Sequence, residues 1–323
     1  MRFGVIGLGS IGLRHIKNIK NLGIDVVGYD IDKNKISDLR KIDIEYFNNK
    51  KKFYSSIDAG IIASPSEYHL KEMSTLIDNN KHCFVEKPMS HELIETSKLI
   101  NLAKKKKLII QVGHNLRFNP AVKFAKELIN NHKIGEILWS RSICSSYLPS
   151  WRKKYDYLNS YTNKKKSGGV IFDLIHEIDL VYHLFGPGKI LNSVTRNSKT
   201  LGLKVEDIAN ITIQHNKGHH SNLHLDFVTR PKKRITEIAG VKGKIVIDIS
   251  NRKVKQINTL DKVLKEKSFK TEINIDYSDE IYSFYKKILN KYNNDEEKLE
   301  NLDVLKLALE ARKLSSIKLK AGY

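Results

Sequence analysis

The sequence predicts an α/β chain in which a doubly wound parallel sheet is followed by an α+β domain with a largely antiparallel, open-faced sheet. Three observations carry this reading. A short apolar strand, residues 1–6, runs straight into Gly7-Leu8-Gly9-Ser10-Ile11-Gly12 and then into a helix-like stretch, residues 13–21. Strand-like and helix-like segments go on alternating through the first third of the chain, the pattern of a parallel sheet. From residue 190 to 249 apolar and polar residues alternate between turn signals, as in Ile208-Ala-Asn-Ile-Thr-Ile213, which suits antiparallel strands with one covered face. A length of 323 residues fits two domains, placed at 1–118 and 119–323.

The opening glycines form a physical device because a strand precedes them and a helix follows. Gly7 permits a tight turn, Gly9 lets backbone approach a pyrophosphate, and Gly12 allows close helix–strand packing. The N–H groups of the helix start, with Ser10 and Ile11 in the loop, then face phosphate oxygens. The second strand, residues 24–30, ends on Asp30, where a dinucleotide fold places the carboxylate that accepts the ribose hydroxyls. A carboxylate there repels a 2′-phosphate and favours NAD, while Lys33 and Lys35 keep NADP open. The plainer alternative is that Asp30 starts a turn.

Further along, Ala59-Gly-Ile-Ile-Ala-Ser64-Pro65 reads as a buried strand ending in a loop, and residues 68–79 as a helix. Residues 82–85 form a strand running into Glu86-Lys87-Pro88, then a helix over 90–103 that Ser90 would cap. Residues 108–112 make another buried strand before Gly113-His-Asn115. Ligands of such sheets bind beyond the carboxyl ends of the strands. The glycine loop, Asp30, Ser64-Pro65, Glu86-Lys87 and Asn115 all fall at those ends and are the candidate cofactor contacts. Beyond about residue 119 the pattern is a helix (121–130), an extended run (135–147), a polar stretch (148–167) and one helix (169–185). A C-terminal helix over 302–318 is expected to pack back on the body.

The net charge of +21 raises the question of nucleic acid. The lysines are scattered among Asn and Ile, and their short runs fall in turns and helix ends, so solvated lysine is the expectation and no nucleic-acid partner. The excess would still draw an acidic small molecule. Cys83 and Cys144 lack metal spacing and are expected to be packing residues in a reduced, cytoplasmic setting. No signal-peptide pattern and no membrane-length apolar run is found. His215, His219, His220 and His224 flank the turn at Asn216-Lys217-Gly218. They are not expected to bind metal, since ligands must converge on one point.

Four motifs in order resemble the signatures of the glucose-fructose oxidoreductase and inositol dehydrogenase family, Gfo/Idh/MocA. They are the glycine loop, Glu86-Lys87-Pro88, Gly113-His-Asn-Leu-Arg-Phe-Asn-Pro120, and Gly168-Gly-Val-Ile-Phe-Asp173-Leu-Ile-His176-Glu-Ile-Asp179. The resemblance runs from the first residue to at least Gly186. It implies a Rossmann domain, an open-faced sheet domain, NAD or NADP, a sugar, polyol or related substrate, and homodimers or homotetramers formed through the sheet. It also places Lys87 at the family's catalytic lysine position, where an ammonium can stabilise alkoxide character on the reacting oxygen. A surface lysine before a proline is the other reading.

His176 is the candidate general acid/base, because imidazole titrates near neutral pH. Asp173, three residues earlier, would share its helix face if the helix has begun, and so could orient the imidazole or bond a substrate hydroxyl. The commoner family form spaces Asp and His by four, as in Asp-x-Gly-x-His, so the roles of Asp173, His176 and Glu177 stay open here, and Asp179 is left as structural. His176-Glu-x-x-Asp179 with Tyr147-Leu-Pro-x-Trp151-Arg152 resembles a branch linked to surface-polysaccharide and nucleotide-sugar pathways. Tyr147, Trp151, Arg152 and Tyr161 suit stacking on a sugar or clamping an anion, or equally anchoring a loop. Asn115 and Arg117 resemble residues near nicotinamide and substrate, and Arg117 suits a carboxylate or phosphate, with capping and packing as the alternative. The expected function is NAD(P)-dependent hydride transfer at a secondary hydroxyl. A non-catalytic NAD-binding sensor, or a bound-NAD epimerase or glycosidase, are the alternatives.

Overall fold

In the computed structural model, which describes residues 1–35, 43–151, 156–270, 272–292 and 294–320, the chain divides into two units. The first comprises Met1–Asn115 and Ile273–Leu305, and the second comprises Leu116–Glu272 and the chain from Lys306 onward.

The first unit begins as β1 (Arg2–Ile6), α1 (Ser10–Asn21) and β2 (Asp25–Tyr29), continues with α2 (Lys50–Ser56), β3 (Ala59–Ile62) and α3 (His69–Asp78), and ends its first stretch with β4 (His82–Val85), α4 (Leu93–Lys105) and β5 (Ile110–Val112). All five strands are parallel, in the order β2-β1-β3-β4-β5, with Phe3 opposite Val26 on one side and Ala59 on the other. β3 is buried at every position, as a strand covered on both faces must be, and this is why its sequence lacks alternation. Successive strands lie on opposite sides of β1, so the strand order reverses beside the glycine loop that follows it. The helix expected from Ser90 begins later, at Leu93 with Glu92 as its N-terminal flank. Ser90 Oγ instead accepts the Glu92 N–H (3.1 Å) and bonds Thr96 Oγ1 (2.6 Å), so it closes a local turn ahead of the helix.

The second unit opens with α5 (Pro120–Asn130), capped by Asn119, whose Oδ1 accepts the Ala121 N–H at 3.0 Å. Proline at the first helical position costs nothing, since its missing donor would be unpaired there. β6 (Ile137–Ser145) follows, then α6 (Val170–Asp173), α7 (His176–Phe185), β7 (Gly188–Arg196), β8 (Ile208–His215), β9 (His220–Asp226), β10 (Lys233–Gly240), β11 (Gly243–Asp248), β12 (Lys253–Ile257) and β13 (Val263–Ser268). They form an eight-stranded sheet in the order β13-β12-β11-β10-β6-β9-β8-β7. Every pair is antiparallel except the central β6 and β9. Ala209, Ile211 and Ile213 of β8 are buried while Asn210, Thr212 and Gln214 between them are not, the alternation visible in the sequence. β12 and β13 lie beyond the expected sheet; β13 is exposed throughout and carries lysines, which discourage pairing at an edge.

The single helix expected over 169–185 is two helices, broken at Leu174 and Ile175. Leu174 takes φ −102° and ψ 26°, outside helical values. Residues 170–175 are all buried, as are the six consecutive residues from Glu177 to Tyr182 in the helix that follows.

The remaining two helices are α8 (Asn274–Leu289) and α9 (Asp295–Lys320). α8 contributes Ile281, Phe284 and Ile288, at helical spacing, to the core of the first unit around Phe3, Ile16, Ile19 and Phe84. Phe284 lies 5.7 Å from Phe3 and 5.9 Å from Phe84, ring centre to ring centre. Burying a ring of this kind stabilises by about 1.5–3 kcal/mol, so the returning segment is a structural part of the first unit.

Candidate active site

The glycine loop has the geometry that its sequence requires. Gly7 sits at φ +91°, and a Cβ there would lie 2.6 Å from the Ser64 backbone nitrogen. A Cβ at Gly12 would lie 1.8 Å from the Gly7 carbonyl oxygen, so the helix packs directly on the loop. A Cβ at Gly9 would meet no protein atom within 4 Å; its backbone can therefore be approached closely. α1 starts with no side-chain cap and no acid in its first turn, which leaves its N–H groups for an anion. Asp30, at the end of β2, accepts the Leu8 N–H at 2.6 Å and the Asp32 N–H at 2.8 Å, with Lys35 Nζ at 3.8 Å. These bonds fix the carboxylate against the loop, and each oxygen retains a lone pair for a hydroxyl donor. The buried side-chain oxygens Ser64 Oγ and Asn115 Oδ1 have no protein hydrogen-bond partner. With the uncapped helix and the open face of Gly9, they make the strand ends chemically suited to a dinucleotide.

Glu86 and Lys87 leave β4 beside these groups. His69 lies between the Pro88 carbonyl (Nδ1, 2.8 Å) and the Ser64 carbonyl (Nε2, 2.9 Å), tying the loops after β3 and β4 together. Burial pushes its pKa down, so the neutral ring donates to one carbonyl at a time. Glu86 Oε1 is 2.7 Å from His15 Nε2, and Glu86 Oε2 accepts the Lys87 N–H at 3.3 Å. Burial alone would raise the Glu86 pKa, but the bond to His15 and the neighbouring Lys87 hold it below the usual carboxylate range. A Cβ at Gly113 would come within 3.1 Å of Glu86 Oε2, and the glycine there lets the carboxylate reach the end of β5.

In the second unit, Asp173 closes α6 and is 2% exposed, while His176 opens α7. Leu174 and Ile175 separate the two, so Asp173 and His176 stand on successive helices and not on one. Two arginines brace the first turn of α7. Arg234 of β10 donates from Nε to Glu177 Oε1 at 2.7 Å, and Arg117 donates to both oxygens of Asp179 at 2.6–3.2 Å. Both carboxylates are fully buried, and removing one partner of such a pair costs about 3–5 kcal/mol. Glu177 and Asp179 point from α7 in different directions, so the pairs restrain the turn that presents His176 from two sides. Arg117, a candidate substrate ligand in the sequence, thus spends its guanidinium on Asp179. Arg234 had no sequence signal beyond its charge. Glu206, also unsignalled, places its carboxyl where a Cβ at Gly169 would strike it; burial raises its pKa, opposed by Arg312 and reinforced by Asp173.

Trp151 is held at the loop: its Nε1 donates to Ser146 Oγ at 2.8 Å, and its ring meets Phe227 edge-on at 5.4 Å. The Arg230 guanidinium lies 3.8 Å from the centre of the Tyr147 ring, and Tyr161 starts a short 3₁₀ turn. Arg152 falls outside the described residues. Cys83 and Cys144 are buried free thiols, both pushed up by burial, Cys144 to about 12, and so are packing groups. His215 and His219 stack at 4.7 Å, with His215 Nε2 2.7 Å from Ser221 Oγ. Burial holds His219 down at about 4. His224 is bonded to Asn210 and Asp226. Among the described residues, no helix is long and apolar enough to cross a membrane.

Comparisons with known proteins agree with this geometry. The model of the oxidoreductase family GFO_IDH_MocA, NAD-binding Rossmann fold, matches residues 1–114, and that of the GFO/IDH/MocA C-terminal domain matches residues 122–246. Glucose-6-phosphate 3-dehydrogenase of Bacillus subtilis is 30% identical over 207 residues, 62% of this chain and 58% of that protein. The 2,7-anhydro-N-acetylneuraminate hydratase of Escherichia coli is 27% identical over 259 residues, 77% of this chain and 68% of that protein. Among solved structures, levoglucosan dehydrogenase in complex with NADH and levoglucosan superposes with a TM-score of 0.88 at 18% identity, covering 98% of both chains.

Proposed function

Because this chain belongs to the Gfo/Idh/MocA family of oxidoreductases, we propose that it is an NAD-dependent dehydrogenase acting on a secondary hydroxyl of a sugar, polyol or nucleotide-sugar-like substrate. The observation that carries this reading is the set of strand ends in the first unit. There an uncapped helix start, the open Gly9 backbone and the unpartnered oxygens of Ser64 and Asn115 accompany Glu86-Lys87. NAD would be held by the Gly7–Gly12 loop and Asp30, with Ser64 and Asn115 as further contacts, and supplies the hydride acceptor when bound.

Lys87 then hydrogen-bonds the reacting oxygen and stabilises its developing negative charge. His176 takes the hydroxyl proton and Asp173 orients the imidazole or binds a neighbouring hydroxyl. The charge of +21 and the similarity to a glucose-6-phosphate 3-dehydrogenase favour an anionic sugar derivative. A screen of NAD reduction against sugars, polyols, sugar phosphates and nucleotide sugars tests the reading. With any hit, His176→Asn should lower kcat by about 10²- to 10³-fold and flatten the acidic limb of the pH–rate profile. An unchanged profile would remove His176 from proton transfer.

Asp30→Ala is expected to weaken NADH binding by about tenfold while changing NADPH binding little, since two ribose hydrogen bonds are lost and a repulsion of the 2′-phosphate is relieved. Fluorescence titration with both nucleotides reads this directly; equal losses for the two would overturn the ribose role. A redox-neutral cycle on tightly held NAD is the second reading, favoured by the similarity to a hydratase. Product formation without accumulation of NADH distinguishes it.

A further inference from the structure

His15, Glu86 and Glu280 meet inside the first unit, their ligand-type atoms all within 4.8 Å of one another. They come from three separate elements: His15 lies on α1 one turn beyond the glycine loop, Glu86 leaves β4 next to Lys87, and Glu280 projects from α8. His15 and Glu280 are completely buried, and both carboxyl oxygens of Glu280 lack a protein hydrogen-bond partner, as does His15 Nδ1. An ionised carboxylate left in that condition costs several kcal/mol, and a protein avoids the cost by keeping the group protonated.

We propose that Glu280 is a neutral carboxylic acid, and that the His15–Glu86–Glu280 cluster is a positioning device holding the Glu86-Lys87 corner against the phosphate-binding helix. The charge setting is consistent with this. Burial raises the Glu280 pKa well above its ordinary value, the nearby Glu86 and Asp276 raise it further, and Arg14 opposes them. Glu86 is the ionised partner, held low against its burial by the bond to His15 and the neighbouring Lys87. One negative charge therefore stays beside the Lys87 ammonium, and the second carboxyl fills the space without adding a charge. Gln111 Nε2 donates to the Glu280 carbonyl at 2.9 Å, which fixes α8 at the depth the cluster needs.

The inference takes its functional meaning from the proposed role of Lys87, but its test needs no turnover. A carboxyl with a raised folded-state pKa contributes stability that is complete below about pH 4.5 and is lost as the pH rises towards the folded value. Glu280→Gln keeps the shape and removes the titration. Its Tm should exceed that of the wild type by about 2–4 °C near pH 8, with the difference closing towards about pH 5. A Tm below the wild type that worsens with pH would mean that Glu280 is an ionised partner, and would overturn the proposal. A rise in wild-type Tm with zinc or manganese ions that is absent in Glu280→Gln would identify a cation site and also overturn it.

Positioning is read from the rate at which acetic anhydride labels Lys87, resolved by peptide mass spectrometry. Glu280→Leu should change that rate at least about threefold, and Glu280→Gln should restore it with the same pH profile as the wild type. Equal labelling in all three proteins would refute the positioning role. An active Lys87→Ala would instead refute the catalytic reading of Lys87 and leave the stability result standing.

Discussion

Replacing Lys87 by alanine should lower kcat by about a thousandfold while leaving the Kd for NADH within about threefold. The size follows from the work assigned to the ammonium. A single preorganised donor aimed at a developing oxyanion is worth about 10²- to 10³-fold, and loss of assistance to proton removal adds to it. The split between kcat and cofactor affinity follows from placement. Glu86 and Lys87 leave β4, whereas the proposed phosphate contacts lie in the loop after β1, so removing the side chain leaves that loop intact. Steady-state rates with a substrate from the NAD-reduction screen, beside a fluorescence titration with NADH, measure both quantities. A parallel loss of NADH binding would make Lys87 a cofactor ligand first.

Gly12→Ala should abolish tight NADH binding, by at least about a hundredfold, and lower Tm by several degrees. The added methyl would sit 1.8 Å from the Gly7 carbonyl oxygen and 3.0 Å from its carbon. Both are backbone atoms, so helix α1 must move off the loop. Overpacking of this kind costs about 1–3 kcal/mol, and a displacement of well under an ångström is enough to pull N–H groups out of line with phosphate oxygens. Gly9→Ala is the matched control, because its methyl would meet no protein atom within 4 Å. It should fold with the wild-type Tm yet bind NADH more weakly, since the methyl would occupy the approach to the pyrophosphate. Wild-type NADH affinity in Gly9→Ala would remove the loop from that role.

What could be read from the sequence was what periodicity and local chemistry encode. The parallel strands stood out as short apolar runs, the antiparallel strands as alternation, and the glycine loop as a strand–turn–helix sequence, and the structure has each of them. The later start of α4 was hidden because Ser90 has the chemistry of a helix cap, yet spends it on the Glu92 N–H two residues on. The return of α8 to the first unit was hidden because the contacts of Phe284 with Phe3 and Phe84 join residues about two hundred positions or more apart. The same distance concealed the partners of the candidate residues. Arg117 reads as an anion ligand until Asp179 is seen to occupy it. Glu280 offered one faint signal, an acid among the apolar positions Ile281, Phe284 and Ile288 of a helix, which is the kind of residue that needs a reason.

The interruption at Leu174 and Ile175 falls within the Asp173-to-His176 spacing, which is one residue shorter than the Asp-x-Gly-x-His form that the motif resembles. In a continuous helix one residue more or fewer would swing the histidine by about 100° around the axis. Here Asp173 ends one helix and His176 begins the next, so a length change falls in a bend that can absorb it. The turn that carries His176 is held by the anchors of the second helix, Arg234 on Glu177 and Arg117 on Asp179. A change at either arginine would leave a buried carboxylate unpaired in the turn that carries His176.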